Sequence, residues 1–338
     1  MPRVYLHDFA TADAEAMGKR AAAVEAAGWD GLLLADSQNL TPDVFIALTM
    51  AAAATSRLEL GTAVTNPMTR HPAVVASAIS SLQAASGGRA VLGLGRGDSA
   101  LLQLGLRPQP RVAFQSDARR IRAYLHGHTV DEAGYPSRIQ WLPSSGCRPV
   151  PLQIFASGPL LTADAALVAD RLTIVVGARP ERISARVQAA KASREAAGLD
   201  PASLDVGAYL IVGVDDDPTR ARDLVRGNVG IFAHFQRDDT ALDPADEAVV
   251  AAVTQRWEEA THGLASSAQS GALTDDFVDH FALVGSHDHC VSRLRELFRV
   301  GIDHLVLIGA SRDIPQQTAN RNTTAILTAV TEAARALA

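Results

Sequence analysis

The chain has 338 residues, of which 47% are hydrophobic and 20% charged, so it contains enough apolar material for a large buried core. Its formal net charge of −6 and the lack of a basic run argue against nucleic acid as the main partner, because phosphate binding requires clustered lysine and arginine. The N-terminus does not resemble a signal peptide, and no stretch reaches the roughly 20 apolar residues of a membrane span, so we expect no membrane association.

Short apolar runs alternate with helical patterns along the chain. The continuous apolar run 31–35 is typical of a parallel strand buried on both faces, whereas residues 12–27 have helical spacing that stops at Gly28. For the next helix we predict Thr41 as the N-cap and Pro42 as the first residue. In chain order, the predicted elements are strand 4–6, helix 12–27, strand 31–35, helix 42–54, strand 58–64, helix 72–85, strand 90–94, helix 112–126, strand 151–156, helix 160–169, strand 172–176, helix 180–197, strand 204–214, helix 218–235, helix 287–300, strand 304–308 and helix 318–337.

These elements form about eight β-α units, and eight units favour a closed (β/α)8 TIM barrel over an open doubly wound sheet. We therefore predict a single barrel domain over residues 1–338. Two segments interrupt the alternation and are predicted to be insertions. Residues 128–149, after the fourth helix, are rich in turn formers and predict a hairpin or loop. Residues 230–281, between the seventh and eighth units, are long enough to form a lid or a binding loop.

Active sites of such barrels lie at the C-terminal ends of the strands, so the residues that follow each predicted strand are the candidates. Small residues dominate there. Consecutive small residues where a strand turns into a helix leave backbone N–H groups free to bind an anion, although glycine is also common in ordinary turns of this kind. The candidates are His7, Asp8, residues 36–39, Thr65, Asn66, residues 95–99, Ser157, Gly158, Gly177, Ala178 and residues 309–311.

Two of these candidates carry chemistry. His7, at the end of the first strand, is either a general acid or base or a hydrogen-bonded structural histidine. Asp36, after the second strand, either holds a polar edge of a cofactor or serves as a cap or loop residue. The sequence contains no nucleophile elbow, HExxH motif, P-loop lysine or dinucleotide fingerprint, which removes the commonest hydrolase, zinc and nucleotide-triphosphate interpretations.

The two cysteines, Cys147 and Cys290, lie far apart and form neither a metal-binding pair nor a disulfide framework. We interpret them as ordinary thiols, expect no metal site, and predict a cytoplasmic protein.

Several runs of residues together resemble the bacterial-luciferase-like oxidoreductase superfamily. They are GTAVTNPMTRHP (61–72), SGGR (86–89), LGLGRGD (92–98), PLQIFASGPLLTADAALVADRLTIVV (151–176) and FALVGSHDHCVSRLRELFRVGIDHLVL (281–307). The combination is similar to the methylenetetrahydromethanopterin reductase branch, which uses the deazaflavin coenzyme F420. The resemblance covers nearly the whole chain except the two insertions.

The resemblance implies a (β/α)8 barrel with a flavin or deazaflavin lying across the strand ends. It implies a non-prolyl cis peptide between Ala63 and Val64, in a bulge that supports the back face of the ring. A phosphate site is implied at the turns after the fifth and sixth strands. The residues implied to bind the cofactor are Asp36, Ala63, Val64, Thr65, Asn66, Gly95, Arg96, Gly97, Asp98, Ser157, Gly158, Pro159, Gly177 and Ala178.

The chain departs from the family at two positions. The reductase branch has a glutamate at the end of its first strand, proposed as a proton donor or acceptor, where this chain has His7. The alcohol-dehydrogenase branch has a histidine after the second-strand aspartate, where this chain has Ser37. The cofactor site is thus retained and the catalytic group changed, with His7 as the candidate for proton transfer.

These considerations favour hydride transfer between F420 and a small organic substrate. One alternative is an FMN-dependent monooxygenase of the same fold that receives reduced flavin from a separate reductase. Another is a non-catalytic relative that only binds a flavin. A homodimer is expected from the family, and the apolar segments 44–50 and 74–82 could form its interface, although core packing explains them equally well.

Overall fold

Eight parallel strands close into a barrel in the computed structural model, which describes residues 2–237 and 242–335. The strands are β1 (Arg3–Asp8), β2 (Gly31–Leu34), β3 (Glu59–Thr62), β4 (Ala90–Leu94), β5 (Val130–Glu132), β6 (Tyr135–Ser137), β7 (Leu152–Ala156), β8 (Arg171–Ile174), β9 (Asp205–Val214), β10 (Leu283–Gly285) and β11 (His304–Ile308). The helices are α1 (Ala14–Ala27), α2 (Val44–Ala53), α3 (Pro72–Ala85), α4 (Ser99–Leu102), α5 (Arg111–Leu125), α6 (Pro159–Ala166), α7 (Pro180–Ala196), α8 (Pro218–Phe235), α9 (Pro244–Gln255), α10 (Asp275–Phe281), α11 (His287–Phe298) and α12 (Gln316–Arg335).

The barrel follows the order β1-β2-β3-β4-β7-β8-β9-β11, and β11 pairs with β1. Pairing between β8 and β9 completes the ring, and β10 adds to the far end of β9. All four residues of β2 are buried, since one face of the strand lines the barrel and the other lies under helices. The predicted (β/α)8 barrel is confirmed.

Polar side chains fill the N-terminal end of the barrel. The hydroxyl of Tyr5 donates to Glu59 at 2.6 Å, and Arg171 donates to the same carboxylate at 2.8 and 3.0 Å. Nearby, Nδ1 of His304 lies 2.7 Å from Oδ1 of Asp205. This end of a (β/α)8 barrel contributes to stability rather than catalysis, so the network is structural.

The start of α2 differs from the prediction. Asp43, not Thr41, is the N-cap, and its carboxylate accepts hydrogen bonds from the N–H groups of Phe45 and Ile46. The Thr41 hydroxyl instead donates to the carbonyl of Ser37. An aspartate two residues further along provides the stronger cap, so Pro42 precedes the helix rather than beginning it.

The two predicted insertions contain secondary structure. Residues 128–149 hold the antiparallel hairpin β5–β6, and residues 230–281 hold the end of α8 together with α9 and α10. The short helix α4 follows the glycine-rich turn after β4 and was not predicted. Residues 238–241 of the second segment, and residues 336–337 of the predicted last helix, lie outside the described residues. Within the described ranges no helix is both long and apolar enough to span a bilayer.

Candidate active site

A cavity of about 760 Å³ opens at the C-terminal ends of the barrel strands. Its wall brings together twelve of the predicted site residues, which come from the end of β1 and from the turns after β2, β3, β4 and β7: His7, Asp36, Ala63, Val64, Asn66, Gly95, Arg96, Gly97, Asp98, Ser157, Gly158 and Pro159. A second cavity of about 290 Å³ shares part of this wall, including His7.

The turn after β3 forms one side of the cavity. The peptide between Ala63 and Val64 is cis, as the resemblance implied. Thr65 does not line the cavity itself, because its backbone pairs with Gly93 and Gly95 and its hydroxyl turns toward Asp36. Gly95 has to lack a side chain, since a Cβ there would lie 2.6 Å from Cγ2 of Val64.

Asp36 is 2% exposed and is held from one side only. Its Oδ2 accepts a hydrogen bond from the Thr65 hydroxyl at 2.6 Å and forms an ion pair with Arg70. Arg70 also binds Asp43 at 2.7 Å, so the guanidinium bridges two carboxylates. Oδ1 of Asp36 has no hydrogen-bond partner in the described part of the chain. A buried acceptor of this kind is available to a ligand.

His7 forms the base of the cavity with Tyr209 from β9. Nδ1 of His7 lies 2.5 Å from the Tyr209 hydroxyl, and both side chains are at least nine-tenths buried. Burial lowers the pKa of His7 to about 4 and raises the pKa of Tyr209 well above 10, so both groups are neutral at pH 7. The ring of Tyr209 stacks on Phe232 at 4.7 Å and meets Phe155 edge to face at 6.3 Å.

The turn after β7 presents a helix N-terminus to the cavity. Gly158 is the N-cap of α6 and Pro159 its first residue, and no side chain caps this end. A Cβ on Gly158 would meet nothing within 4 Å. Uncapped N–H groups beside open space at a helix N-terminus form an anion site.

The structure does not bring Gly177 and Ala178 to the cavity wall. Phe281, at the end of α10, covers this turn. A Cβ on Gly177 would lie 3.0 Å from Phe281, and the carbonyl oxygen of Phe281 accepts a hydrogen bond from the Ala178 N–H at 3.0 Å. The carbonyl of Ala178 accepts from Arg293 at 3.0 Å. The structure therefore places Gly177 and Ala178 under α10 and apart from the residues of this cavity wall, and phosphate contacts at these two residues stay a prediction.

Several residues of the wall were not predicted from the sequence, among them Tyr209, Asn228 and His262. Asn228 lies in the middle of α8, donates to the carbonyl of Gly309 at 2.9 Å, and leaves Oδ1 without a partner among the described residues. Burial, with Arg312 nearby, lowers the pKa of His262 to about 4. No local pattern marks these positions, because they reach the cavity only through the courses of β9, α8 and the segment after α9.

Among the described residues, the wall carries more positive than negative charge. Five of these lining residues are arginine and two are aspartate; the arginines are Arg96, Arg107, Arg111, Arg237 and Arg312. Part of this charge is compensated, since Arg111 pairs with Asp164 and Arg237 lies 3.9 Å from Asp98. The remaining excess favours an anionic ligand.

Comparisons with known proteins identify the family of the chain. The sequence model of the luciferase-like monooxygenase family matches residues 4–304. The chain is 30% identical over 289 residues to the 5,10-methylenetetrahydromethanopterin reductase of Methanolobus tindarius, covering 83% of this chain and 86% of the relative. The resemblance to the superfamily and to its reductase branch is therefore confirmed.

The fold is shared with solved structures, among them the following two. One is an F420-dependent secondary alcohol dehydrogenase in complex with an F420-acetone adduct, with a TM-score of 0.74, 17% identity and coverage of 97% of this chain and 99% of the other. The other is the oxygenating constituent of 3,6-diketocamphane monooxygenase from Pseudomonas putida in complex with FMN, with a TM-score of 0.66, 16% identity and coverage of 97% and 98%.

Proposed function

Because the chain belongs to the luciferase-like monooxygenase family and is an oxidoreductase of the flavin or deazaflavin class, we propose that it transfers a hydride between coenzyme F420 and a small organic substrate. When bound, the deazaflavin ring accepts or gives the hydride. The protein binds and orients the two reactants and shields them from water.

The observation that carries the proposal is a set of buried polar atoms, in side chains that line the cavity, that have no hydrogen-bond partner among the described residues. They are Oδ1 of Asp36, Oδ1 of Asn228, Nε2 of His7 and Nδ1 of His262. Unpaired buried groups each cost about 1–3 kcal/mol, so a ligand that pairs with them is favoured. A deazaflavin or flavin ring fits, since its edge carries both carbonyl acceptors and an N–H donor.

The uncapped N-terminus of α6 fits the phosphate of either cofactor. Ser157, Gly158 and Pro159 would hold it, with the uncapped N–H groups of the first turn as donors. Two observations favour F420 over FMN. One is the excess of arginine among the described residues of the wall, which suits a ligand with carboxylates beyond its phosphate; the other is the similarity to a relative that is a methylenetetrahydromethanopterin reductase. FMN is the alternative, and it would require a separate reductase as partner.

Titration with F420 and with FMN, followed by ring fluorescence and absorbance, tests the proposal. Selective, tight binding of F420 is the expected result. Selective binding of FMN would replace the proposal by the monooxygenase alternative, and binding of neither would overturn the cofactor assignment. His7 is proposed as the residue that contacts the reacting atoms; full turnover of a His7→Ala variant across the pH range would overturn that role.

We also propose a homodimer formed through α2 and α3. Neither helix contains a charged residue, yet Ile46 is 60% and Val74 53% exposed. Adjacent uncharged helices with exposed aliphatic side chains are typical of a permanent interface. Light scattering after size exclusion should give twice the chain mass, and a double variant Ile46→Glu, Val74→Glu should be monomeric. Leu199→Glu, at a solvent-exposed apolar residue outside these helices, is the control.

A further inference from the structure

We propose that Tyr209 is a positioning residue that holds His7 in the tautomer with its proton on Nε2, so that His7 offers a neutral N–H donor to an acceptor atom of a bound ligand. The acceptor is a carbonyl oxygen or a ring nitrogen. The identity of the ligand rests on the proposed function, but the tautomer itself does not.

The direction of the hydrogen bond follows from its surroundings. A tyrosine hydroxyl has one proton to donate, and within the described residues the only hydrogen-bond partner of the Tyr209 hydroxyl is Nδ1 of His7, at 2.5 Å. The side chain is 4% exposed, so a hydroxyl proton without an acceptor would cost about 1–3 kcal/mol. Tyr209 therefore donates, and Nδ1 accepts.

A neutral imidazole carries one proton, on one of its two nitrogens. Burial lowers the pKa of His7 to about 4, so the ring is neutral at pH 7. With Nδ1 accepting from Tyr209, the proton lies on Nε2. The reverse arrangement, Nδ1–H donating to Tyr209, would leave the tyrosine proton without an acceptor in this part of the structure.

Nε2 is buried and has no partner among the described residues, although His7 lies on the wall that both cavities share. The nearest rings, Phe9 at 5.7 Å and Tyr209 at 5.6 Å between centroids, offer it no acceptor. A neutral imidazole N–H can donate a hydrogen bond to the oxygen of a bound carbonyl. This bond stabilises negative charge that develops on the oxygen, and no proton has to be transferred to that oxygen first. The Tyr209 ring stacks on Phe232, and this contact restricts the position of the Tyr209 hydroxyl that bonds to His7.

Long-range ¹⁵N–¹H correlation spectra of the protein without cofactor, labelled at its histidines, read the tautomer directly, with His7→Gln to assign the His7 signals. We expect a single Nε2–H tautomer in the wild type and a mixture of both tautomers in Tyr209→Phe. Tyr124→Phe removes another buried tyrosine hydroxyl, bonded to Glu132 away from the cavity, and should leave the His7 signals unchanged. An Nδ1–H tautomer in the wild type overturns the proposal even if Tyr209→Phe does not fold.

Two additions then identify the acceptor. A shift of the His7 Nε2–H resonance on adding F420 or FMN alone assigns the acceptor to the cofactor ring. A shift that requires a small ketone, acetone, on top of the cofactor assigns it to the substrate. If fluorescence shows that the cofactor binds and neither addition shifts the Nε2–H resonance, the role of Nε2 as a donor is overturned. Failure of the cofactor to bind would instead contradict the proposed function and leave the tautomer result standing.

Discussion

Replacing His7 by glutamine is expected to remove part of the acid sensitivity of the fold. Burial lowers the pKa of His7 to about 4, against about 6.5 in an unfolded chain. Between these values the unfolded state binds a proton that the folded state does not, so stability present above pH 6.5 is lost as the pH falls toward 4. At pH 5 the loss is about 2 kcal/mol, since each pKa unit corresponds to 1.36 kcal/mol. Glutamine keeps an acceptor for Tyr209 but does not titrate.

Urea unfolding at pH 7 and pH 5, followed by tryptophan fluorescence and circular dichroism, measures the effect. The free energy of unfolding of His7→Gln should fall by about 2 kcal/mol less than that of the wild type between the two pH values. His128→Gln controls for the loss of an exposed imidazole. Some acid sensitivity should persist in His7→Gln, because burial also lowers the pKa of His262 to about 4 and that of His304 to about 3. Equal losses in His7→Gln and the wild type would show that His7 is not shielded from water, and the reasoning about its neutral state would be wrong.

Three further substitutions separate binding from folding. Gly158→Asp places a carboxylate at the proposed phosphate site, so the cofactor affinity measured by fluorescence titration should fall at least about tenfold. The melting temperature should stay the same or rise, because aspartate is a good N-cap. Gly93→Ala would bring a Cβ to 1.8 Å from the Thr62 carbonyl oxygen, so unfolding in urea should show a loss above about 3 kcal/mol; a smaller loss would mean that the strands can separate at little cost. Glu59→Gln leaves the buried Arg171 without its main partner and should cost about 3 kcal/mol of stability in the same assay, with cofactor affinity unchanged because the pair lies at the opposite end of the barrel.

Much of the barrel could be predicted from the sequence because each strand is a short apolar run followed by a helix with its own stop signals. This regularity also locates the ends of the strands, which is why His7, Asp36 and the turn 95–98 were found as candidates and lie on one cavity. The start of α2 was misplaced because two capping residues, Thr41 and Asp43, lie close together and the local pattern does not choose between them.

The remaining features of the site depend on contacts between distant segments. Tyr209 lies in β9, where the eight central residues are all buried, so no alternation shows which side chain reaches the cavity. Gly177 follows a strand and resembles a phosphate-binding turn, but α10 arrives from a hundred residues further along the chain and covers it with Phe281. A sequence pattern reports what a segment does by itself and not what another segment places beside it.

His7, at the end of β1, occupies the position where the resemblance to the reductase branch implied a carboxylate. A carboxylate at that position, as in the reductase branch, can take up a proton or give one. If Tyr209 donates to Nδ1 of His7, the neutral imidazole has its accepting nitrogen occupied at pH 7. His7 can then donate a hydrogen bond from Nε2 but cannot take up a proton unless Tyr209 moves away. The cavity wall around Ala63, Asp36 and Gly158 would still hold the same class of cofactor. A ligand suited to this site has to present an acceptor atom to His7, which directs the search for a substrate toward carbonyl compounds rather than toward compounds that must first lose a proton to the protein.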